Sequence, residues 1–210
     1  MENITKIKLC GLSRLCDIEA ANELLPEYIG FVFAKKSIRY VSPEQAAALR
    51  KQLASQIFAV GVFVNEAPEN VAELLAAGVI DIAQLHGSED EAYIERLRAL
   101  TDKPIIKAFS VNAEQDICRA AESSADFVLL DAGDGGTGTA FDWGVLAGME
   151  RPYFLAGGLD ATTVGAAVRK WRPYAVDVSS GIETDGHKDV EKMRAFVKHV
   201  RNAEKITYDI

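Results

Sequence analysis

The sequence has few cysteines and histidines, and none of them stands in a pattern that builds a disulfide framework or a metal site. Its 210 residues include three cysteines, Cys10, Cys16 and Cys118, without a CxxC pair. An odd number of widely spaced cysteines argues against structural disulfides, and the three histidines lack metal-ligand spacing. We therefore expect free thiols and no bound metal.

Basic residues are scarce relative to acidic ones, and long apolar runs are missing. Lys and Arg total 23 against 31 Asp and Glu, so the formal net charge is −8. A polyanionic partner requires a basic stripe, so neither nucleic acid nor an anionic membrane is an expected partner. No run reaches the roughly 18 apolar residues of a membrane helix, and the N-terminus lacks the layout of a signal peptide. We expect a cytoplasmic protein that holds any anionic substrate at a local site.

Short β-rich runs alternate along the chain with segments whose apolar residues recur every three or four positions, which is typical of βα units. Eight predicted strands, each followed by a crossover, favour an α/β fold: one (β/α)8 TIM barrel domain over residues 1–210. A doubly wound open sheet has the same alternation, and the number of strands disfavours it. The predicted strands are 6–10, 28–33, 58–64, 80–86, 104–109, 126–131, 152–157 and 175–180.

Helices are predicted between these strands, several of them opened by a cap residue with proline in the first turn. The weakest prediction is a helix over 143–149, and the C-terminal residues 204–210 remain unassigned. The other predicted helices are 43–53, 68–77, 90–100, 113–123, 161–170 and 189–202.

Several strands end in polar residues, and the carboxyl ends of barrel strands form the rim where the active sites of this fold lie. The first strand ends in Cys10, followed by Gly11, and the sixth, otherwise apolar strand ends in Asp131. Strand alternation places Lys8 on the face of Cys10 and Leu9 on the other face, so the Lys8 ammonium is expected to favour the thiolate. Cys10 is thus a candidate reactive thiol, with simple packing as the alternative. Asp131 either caps its loop or transfers protons.

Two glycine-rich loops, "LAGGLD" after the seventh strand and "VSSGIE" after the eighth, predict a phosphate site. Barrels of this type often hold phosphate there, and clustered backbone N–H groups bind an anion without a basic side chain. The candidates are Gly157, Gly158, Ser180 and Gly181, and two tight turns are the alternative. A third glycine-rich loop, 131–143, is expected to be a mobile cover of the site, or a plain connection.

Three further side chains are candidate substrate ligands. Arg39, after the second strand, is placed to pair with a substrate carboxylate, although a solvated surface arginine is the simpler interpretation. His86 stands at the end of the fourth strand, where a hydrogen bond within the barrel wall is its alternative role. Asp177 faces inward with Ser179, so it either contacts substrate or belongs to the barrel core.

These motifs, taken in order, resemble the phosphoribosylanthranilate isomerase family over essentially the whole chain. The likeness rests on "KLCGL", "GFVFAKKSIRYVSPEQA", "QLHG", "LLD…GGTGTAFDW", "LAGGL" and "VDVSSGIETDGHKD". It implies a (β/α)8 barrel that needs no cofactor or metal and catalyses an Amadori rearrangement in tryptophan biosynthesis. The general base then matches Cys10 and the general acid matches Asp131, whose apolar strand is expected to raise its carboxyl pKa. Ile38 and Asp185 depart from prolines that are common in the family.

The resemblance further implies a role for each of the other candidates. Arg39 would hold the anthranilate carboxylate, the glycine loops the phosphate, and Asp177 the anilino nitrogen, in a monomer or a homodimer. Two other phosphosugar barrels remain as alternatives. A histidine-pathway isomerase would carry paired aspartates at strands one and five, and a ribulose-phosphate epimerase would carry metal-binding histidines. A catalytically silent barrel that only binds a phosphorylated ligand is a third possibility.

Overall fold

Eight parallel strands close into a barrel in the computed structural model, which describes residues 4–131 and 148–205. Each strand pairs with the next along the chain, and the eighth pairs back with the first. The predicted barrel is confirmed, and every strand end lies within two residues of its predicted position. The strands are β1 (Lys6–Cys10), β2 (Tyr28–Val32), β3 (Phe58–Phe63), β4 (Ile82–Leu85), β5 (Ile105–Ser110), β6 (Phe127–Asp131), β7 (Tyr153–Ala156) and β8 (Ala175–Val178).

Helices surround this barrel, and their first turns follow the capping signals of the sequence. The Ser42 hydroxyl accepts from the Gln45 N–H at 3.2 Å and the Gln45 side chain accepts from the Ser42 N–H at 2.9 Å, with Pro43 as the first helical residue. The helices of the described residues are α1 (Leu15–Leu24), α2 (Pro43–Arg50), α3 (Pro68–Ala76), α4 (Glu91–Arg98), α5 (Glu114–Glu122), α6 (Val164–Trp171) and α7 (Val190–Lys205). Within the described part of the chain, no helix is both long and apolar enough to cross a membrane.

Three helix boundaries differ from the prediction by three residues, and the first is the end of helix α2, which lies at Arg50 rather than at 53. Helix α6 begins at Val164 rather than at 161 because the Asp160 carboxylate accepts from the N–H groups of Thr162 and Thr163 and holds that segment as a turn. Helix α7 continues past the predicted end at 202 to Lys205. The predicted cover loop after Asp131 and residues 143–147 of the weakest predicted helix lie outside the described residues.

The interior of the barrel is a packed layer of side chains rather than a channel. One buried cluster joins residues from seven of the eight strands, including Tyr28, Ile106, Leu129 and Phe154. Residues of the opposite strand face, such as Leu9, pack between the barrel and the helices. This alternation confirms that Leu9 points away from the face shared by Lys8 and Cys10.

A short hairpin follows β8 at the carboxyl end of the barrel. Strand β8 ends at Val178 rather than at the predicted 180, and a 3-10 helix covers Ser180–Ile182. Strands β9 (Glu183–Thr184) and β10 (His187–Lys188) then pair antiparallel, with Glu183 opposite Lys188. The two linking residues, Asp185 and Gly186, have φ of 50° and 77°, the signature of the tight two-residue hairpin turn that Asp-Gly favours.

Candidate active site at the carboxyl end of the barrel

The fold brings every described candidate residue to one end of the barrel. Cys10 and Asp131 are the last residues of β1 and β6, His86 directly follows β4, and Asp177 lies in β8. Arg39 lies in the connection between β2 and α2, at the same end. The carboxyl ends of parallel strands in a barrel share one rim, so these side chains surround a common mouth.

Asp177 forms a buried ion pair with Lys8 inside the barrel. The Lys8 side chain is fully buried, and its Nζ donates to Asp177 Oδ1 at 2.9 Å across the β1–β8 register. Burial alone would lower the pKa of Lys8, but the attraction of Asp177 and Cys10 outweighs it and the pKa lies above its ordinary value. Asp177 is therefore part of the barrel core, which was one of its two alternatives from the sequence. The pair holds its carboxylate at a fixed place beneath the mouth.

The thiol of Cys10 is almost completely enclosed. Cys10 is 7% exposed and packs against Val32 and Val62. Its partner across the β1–β2 register is Gly30, where a Cβ would come within 2.7 Å of the sulfur, so the thiol occupies the space that a side chain at position 30 would fill.

The pKa of Cys10 depends on burial as well as on the neighbouring charges. Burial raises the pKa of the thiol, and the Asp177 carboxylate adds to that rise, while the ammonium groups of Lys8 and Lys188 lower it. The effect of Lys8 therefore has the sign expected from the sequence. Burial outweighs the cations, so the pKa of Cys10 lies above its ordinary value.

Arg39 belongs to a cluster of three charged residues at the rim. Its Nε and Nη2 donate to the two carboxylate oxygens of Glu183 at 2.6 and 2.7 Å. Lys188 Nζ donates to Glu183 Oε1 at 2.5 Å and to the Ser179 carbonyl at 2.9 Å. The hydrogen bond to Glu183 raises the pKa of Arg39, and burial lowers the pKa of Lys188. Arg39 is accordingly not a free surface arginine, since a carboxylate of the same chain already orients it.

His86 connects the barrel wall to Asp131 on the far side of the mouth. Its Nδ1 lies 2.8 Å from Gln84 Nε2, and its Nε2 lies 3.5 Å from Asp131 Oδ2. The hydrogen bond within the wall that was considered for His86 is present. The Asp131 side chain is 30% exposed.

The two glycine-rich loops lie against each other at the same rim. A Cβ at Gly181 would come within 2.0 Å of the Leu159 carbonyl oxygen, so the β8 loop approaches the β7 loop more closely than a side chain would permit. Gly157 and Gly158 have φ of 95° and 62°, and a Cβ at Gly158 would meet no heavy atom of the described residues within 4 Å. The β7 loop therefore presents the Gly158 backbone to open space, which suits the approach of an anion.

Sequence reasoning did not select Glu183 or Lys188, although both contact candidate residues. The signal was available in the adjacent Asp185 and Gly186, because an Asp-Gly pair predicts a hairpin that sets the flanking residues opposite each other. Gln84 was not selected either, and its Oε1 is the one buried side-chain oxygen or nitrogen in the described ranges without a hydrogen-bond partner. Within residues 4–131 and 148–205, no group of three or more His, Cys, Asp or Glu could hold a metal ion.

Comparison with known proteins places this chain in a family. The model of the N-(5'-phosphoribosyl)anthranilate isomerase family matches residues 7–199. The N-(5'-phosphoribosyl)anthranilate isomerase of Acetivibrio thermocellus is 46% identical over 215 residues, which cover 96% of this chain and 98% of that one. This match decides between the barrel enzymes considered from the sequence, and it favours an enzyme over a silent binding protein.

Solved structures agree with the sequence comparison. A phosphoribosylanthranilate isomerase in complex with reduced 1-(o-carboxyphenylamino)-1-deoxyribulose 5-phosphate superposes with a TM-score of 0.82 at 34% identity, covering 94% of this chain and 99% of that one. Monomers generated from the dimeric enzyme of Thermotoga maritima superpose with a TM-score of 0.81 at 34% identity, covering 94% and 98% of the two chains. The chain therefore belongs to the phosphoribosylanthranilate isomerase family.

Proposed function

We propose that this isomerase converts N-(5-phospho-β-D-ribosyl)anthranilate into 1-(2-carboxyphenylamino)-1-deoxy-D-ribulose 5-phosphate, the Amadori rearrangement of tryptophan biosynthesis, with Cys10 as general base and Asp131 as general acid. Family membership supports the reaction. The placement of the two groups supports the roles, since strands β1 and β6 lie three strand positions apart around the closed barrel. A sugar bound across the mouth would then have one group on each side.

The reaction divides into two halves, and in each half these groups donate one proton and accept one. Asp131 in its acid form protonates the ring oxygen, the C1–O bond breaks, and a protonated Schiff base forms. The Cys10 thiolate then removes the proton from C2 and leaves an enolamine. In the second half the Cys10 thiol donates a proton to C1, and the enol hydroxyl gives its proton to the Asp131 carboxylate and becomes the ketone, so both groups return to their starting forms. The raised pKa of Cys10 makes its thiolate a stronger base, present in a growing fraction as the pH rises.

The remaining candidates are assigned to substrate binding. Arg39 has Nη1 and one Nη2 hydrogen left beyond its bonds to Glu183, which suits the anthranilate carboxylate. Asp177 would accept from the anilino nitrogen, and His86 would contact substrate beside Asp131. Backbone N–H groups at the two glycine loops would bind the phosphate through Gly157, Gly158, Ser180 and Gly181. The reduced product analogue bound by a solved relative carries all of these groups.

Two features of organisation belong to the same proposal. The barrel accounts for all described residues, so we assign the chain to a single isomerase domain. The Thermotoga maritima relative is described as dimeric and was also obtained as monomers, and either state is compatible with a mouth built from one chain.

Conversion of freshly prepared N-(5-phosphoribosyl)anthranilate tests the reaction, because its fluorescence falls as it is consumed. Asp131→Asn then separates acid catalysis from binding, since the amide keeps the shape of the side chain but cannot transfer a proton usefully. We expect kcat to fall by about 10² to 10⁴ while the reduced open-chain product analogue, which needs no ring opening, binds within a few-fold of the parent. An equal loss of analogue affinity would instead make Asp131 a binding residue, and full activity would remove it from the mechanism.

A further inference from the structure

Lys188 is a buried ammonium at the rim of the mouth, next to the base assigned above. Its side chain is 2% exposed, and its Nζ is fixed by Glu183 Oε1 at 2.5 Å and by the Ser179 carbonyl at 2.9 Å. A Cβ at Gly11, the residue after Cys10, would lie 3.3 Å from this Nζ. The Ser179 hydroxyl, 3.3 Å from Nζ, donates to the Cys10 carbonyl at 3.2 Å. Hydrogen bonds and packing thus place this cation against the end of β1.

The positively charged side chains around Cys10 outnumber the negatively charged ones. Lys8 and Asp177, the pair beneath it, have opposite formal charges, although Lys8 lowers the pKa of Cys10 more than Asp177 raises it. At the rim, Arg39 and Lys188 share the single carboxylate of Glu183, so two positive charges face one negative charge and the cluster carries +1. The excess formal positive charge near the thiol therefore lies on the hairpin and the β2–α2 connection, and it adds to the effect of Lys8.

Among the described residues, the neighbouring charged groups are either paired or lie across the mouth. Arg14, whose Nη2 donates to the Lys188 carbonyl, is paired with Asp17 at 2.7 Å. Across the mouth, the Asp131 carboxylate faces the ring of His86. The lowering effect of Lys188 on the pKa of Cys10 agrees with the charge count.

We infer that Lys188 is a positioning residue for the base: its ammonium, held by Glu183 on the β9–β10 hairpin, stabilises the thiolate of Cys10. For its catalytic meaning the inference rests on the proposed role of Cys10. The second cation of the cluster, Arg39, is then left to bind the substrate carboxylate, so one glutamate serves both the base and the binding site.

The rate of Cys10 alkylation by iodoacetamide, measured against pH in the full chain, tests this directly because only the thiolate reacts. Trypsin releases residues 9–14, "LCGLSR", as a peptide that contains Cys10 and neither Cys16 nor Cys118, so mass spectrometry follows the one thiol. No substrate is needed, so the result stands even if Cys10→Ala turns out to be active and the assignment of the base fails.

We expect Lys188→Met to move the midpoint of alkylation upward by about one pH unit or more, and Lys188→Arg to keep it near the parent value. The pH profile of kcat should shift in the same direction. Lys192→Met is the matched control, since that exposed ammonium also bonds Glu183, but through the backbone carbonyl at 2.6 Å. A Lys188→Met midpoint equal to that of Lys192→Met would overturn the inference.

Glu183→Gln provides a second test with the opposite sign. It removes the negative charge that offsets both cations, so the alkylation midpoint should fall below that of the parent. Thermal unfolding of each variant establishes that the chain is folded before alkylation, and this second variant keeps the inference testable if Lys188→Met does not fold. A midpoint that rises in Glu183→Gln would contradict the charge argument.

Discussion

The two ends of the barrel interior use similar residues for different purposes. At the amino end of the strands, Lys6 Nζ donates to the Tyr174 hydroxyl at 2.6 Å and lies 4.4 Å from the centre of that ring. Two residues later in the same strand, Lys8 pairs with Asp177 beneath the mouth. Lys6 thus belongs to an aromatic cluster, and Lys8 belongs to a charged pair directly beneath the site.

The surroundings of each end explain the difference. At the amino end, the ring of Phe154 lies 5.4–5.8 Å from those of Tyr28, Phe127 and Tyr174, and the rings of Phe127 and Tyr174 stack at 5.2 Å. The hydroxyls of Tyr28 and Tyr174 bond each other at 3.1 Å. Burying aromatic area in this way stabilises the fold. At the carboxyl end, buried charges are held by one another, an arrangement that contributes little net stability but keeps each group in place. Substitutions at the carboxyl end should therefore lower activity with little loss of stability, and substitutions at the amino end should lower stability with little loss of activity.

Cys10→Ala is expected to have the largest effect, because it removes the assigned base from the charged end. General-base catalysis contributes about 10² to 10⁴ in rate, so kcat should fall by that factor while the free energy of unfolding changes little. Cys10→Ser should be almost as impaired, since a hydroxyl is a far weaker proton acceptor near neutral pH. The loss of substrate fluorescence measures kcat, and urea unfolding measures stability. Near-normal kcat in a folded variant would remove Cys10 as the base.

Phe154→Ala tests the other end. The ring is fully buried among Tyr28, Phe127 and Tyr174, so its loss should lower the free energy of unfolding by about 3–5 kcal/mol. At a temperature where the variant stays folded, kcat should remain near that of the parent. Phe154→Leu, which keeps apolar volume, should recover part of the stability. A fall in kcat as large as that in Cys10→Ala would abolish the division between the two ends.

The smallest expected effect is a difference in how stability depends on pH. A thiol whose folded-state pKa is raised binds its proton more tightly in the folded state, so this contribution is complete below about pH 8.5 and is lost as the pH rises through the folded value. The parent should lose stability relative to Cys10→Ala over that window. Burial also raises the pKa of Tyr28 at the amino end. Tyr28 is present in both proteins, so its contribution cancels when they are compared. Urea unfolding at pH 8 and above measures the free energy of unfolding of both proteins. If it changes with pH by the same amount in the parent and in Cys10→Ala, this linkage is absent.

Much of the fold follows from local pattern. Strand positions could be predicted because apolar, β-rich runs are bounded by turn residues, and helix starts such as Ser42–Pro43 carry capping groups that act within a few residues. The end of β8 was placed too late because Ser179 and Ser180 continue the strand pattern, while close packing of Gly181 against Leu159 bends the chain there. That contact joins loops more than twenty residues apart, so no local pattern reports it.

The sequence by itself determined the barrel, the rim position of Cys10 and Asp131, and the glycine loops, because each depends on periodicity or on residue type at a strand end. Only the tertiary structure decided the charge partners. Lys8 meets Asp177 across 169 positions of the chain, and Arg39 meets Glu183 across 144. It also decided the direction in which the pKa of the Cys10 thiol is shifted, because the pKa of a group depends on its burial and on every neighbouring charge. Closure of the barrel is what creates those neighbours.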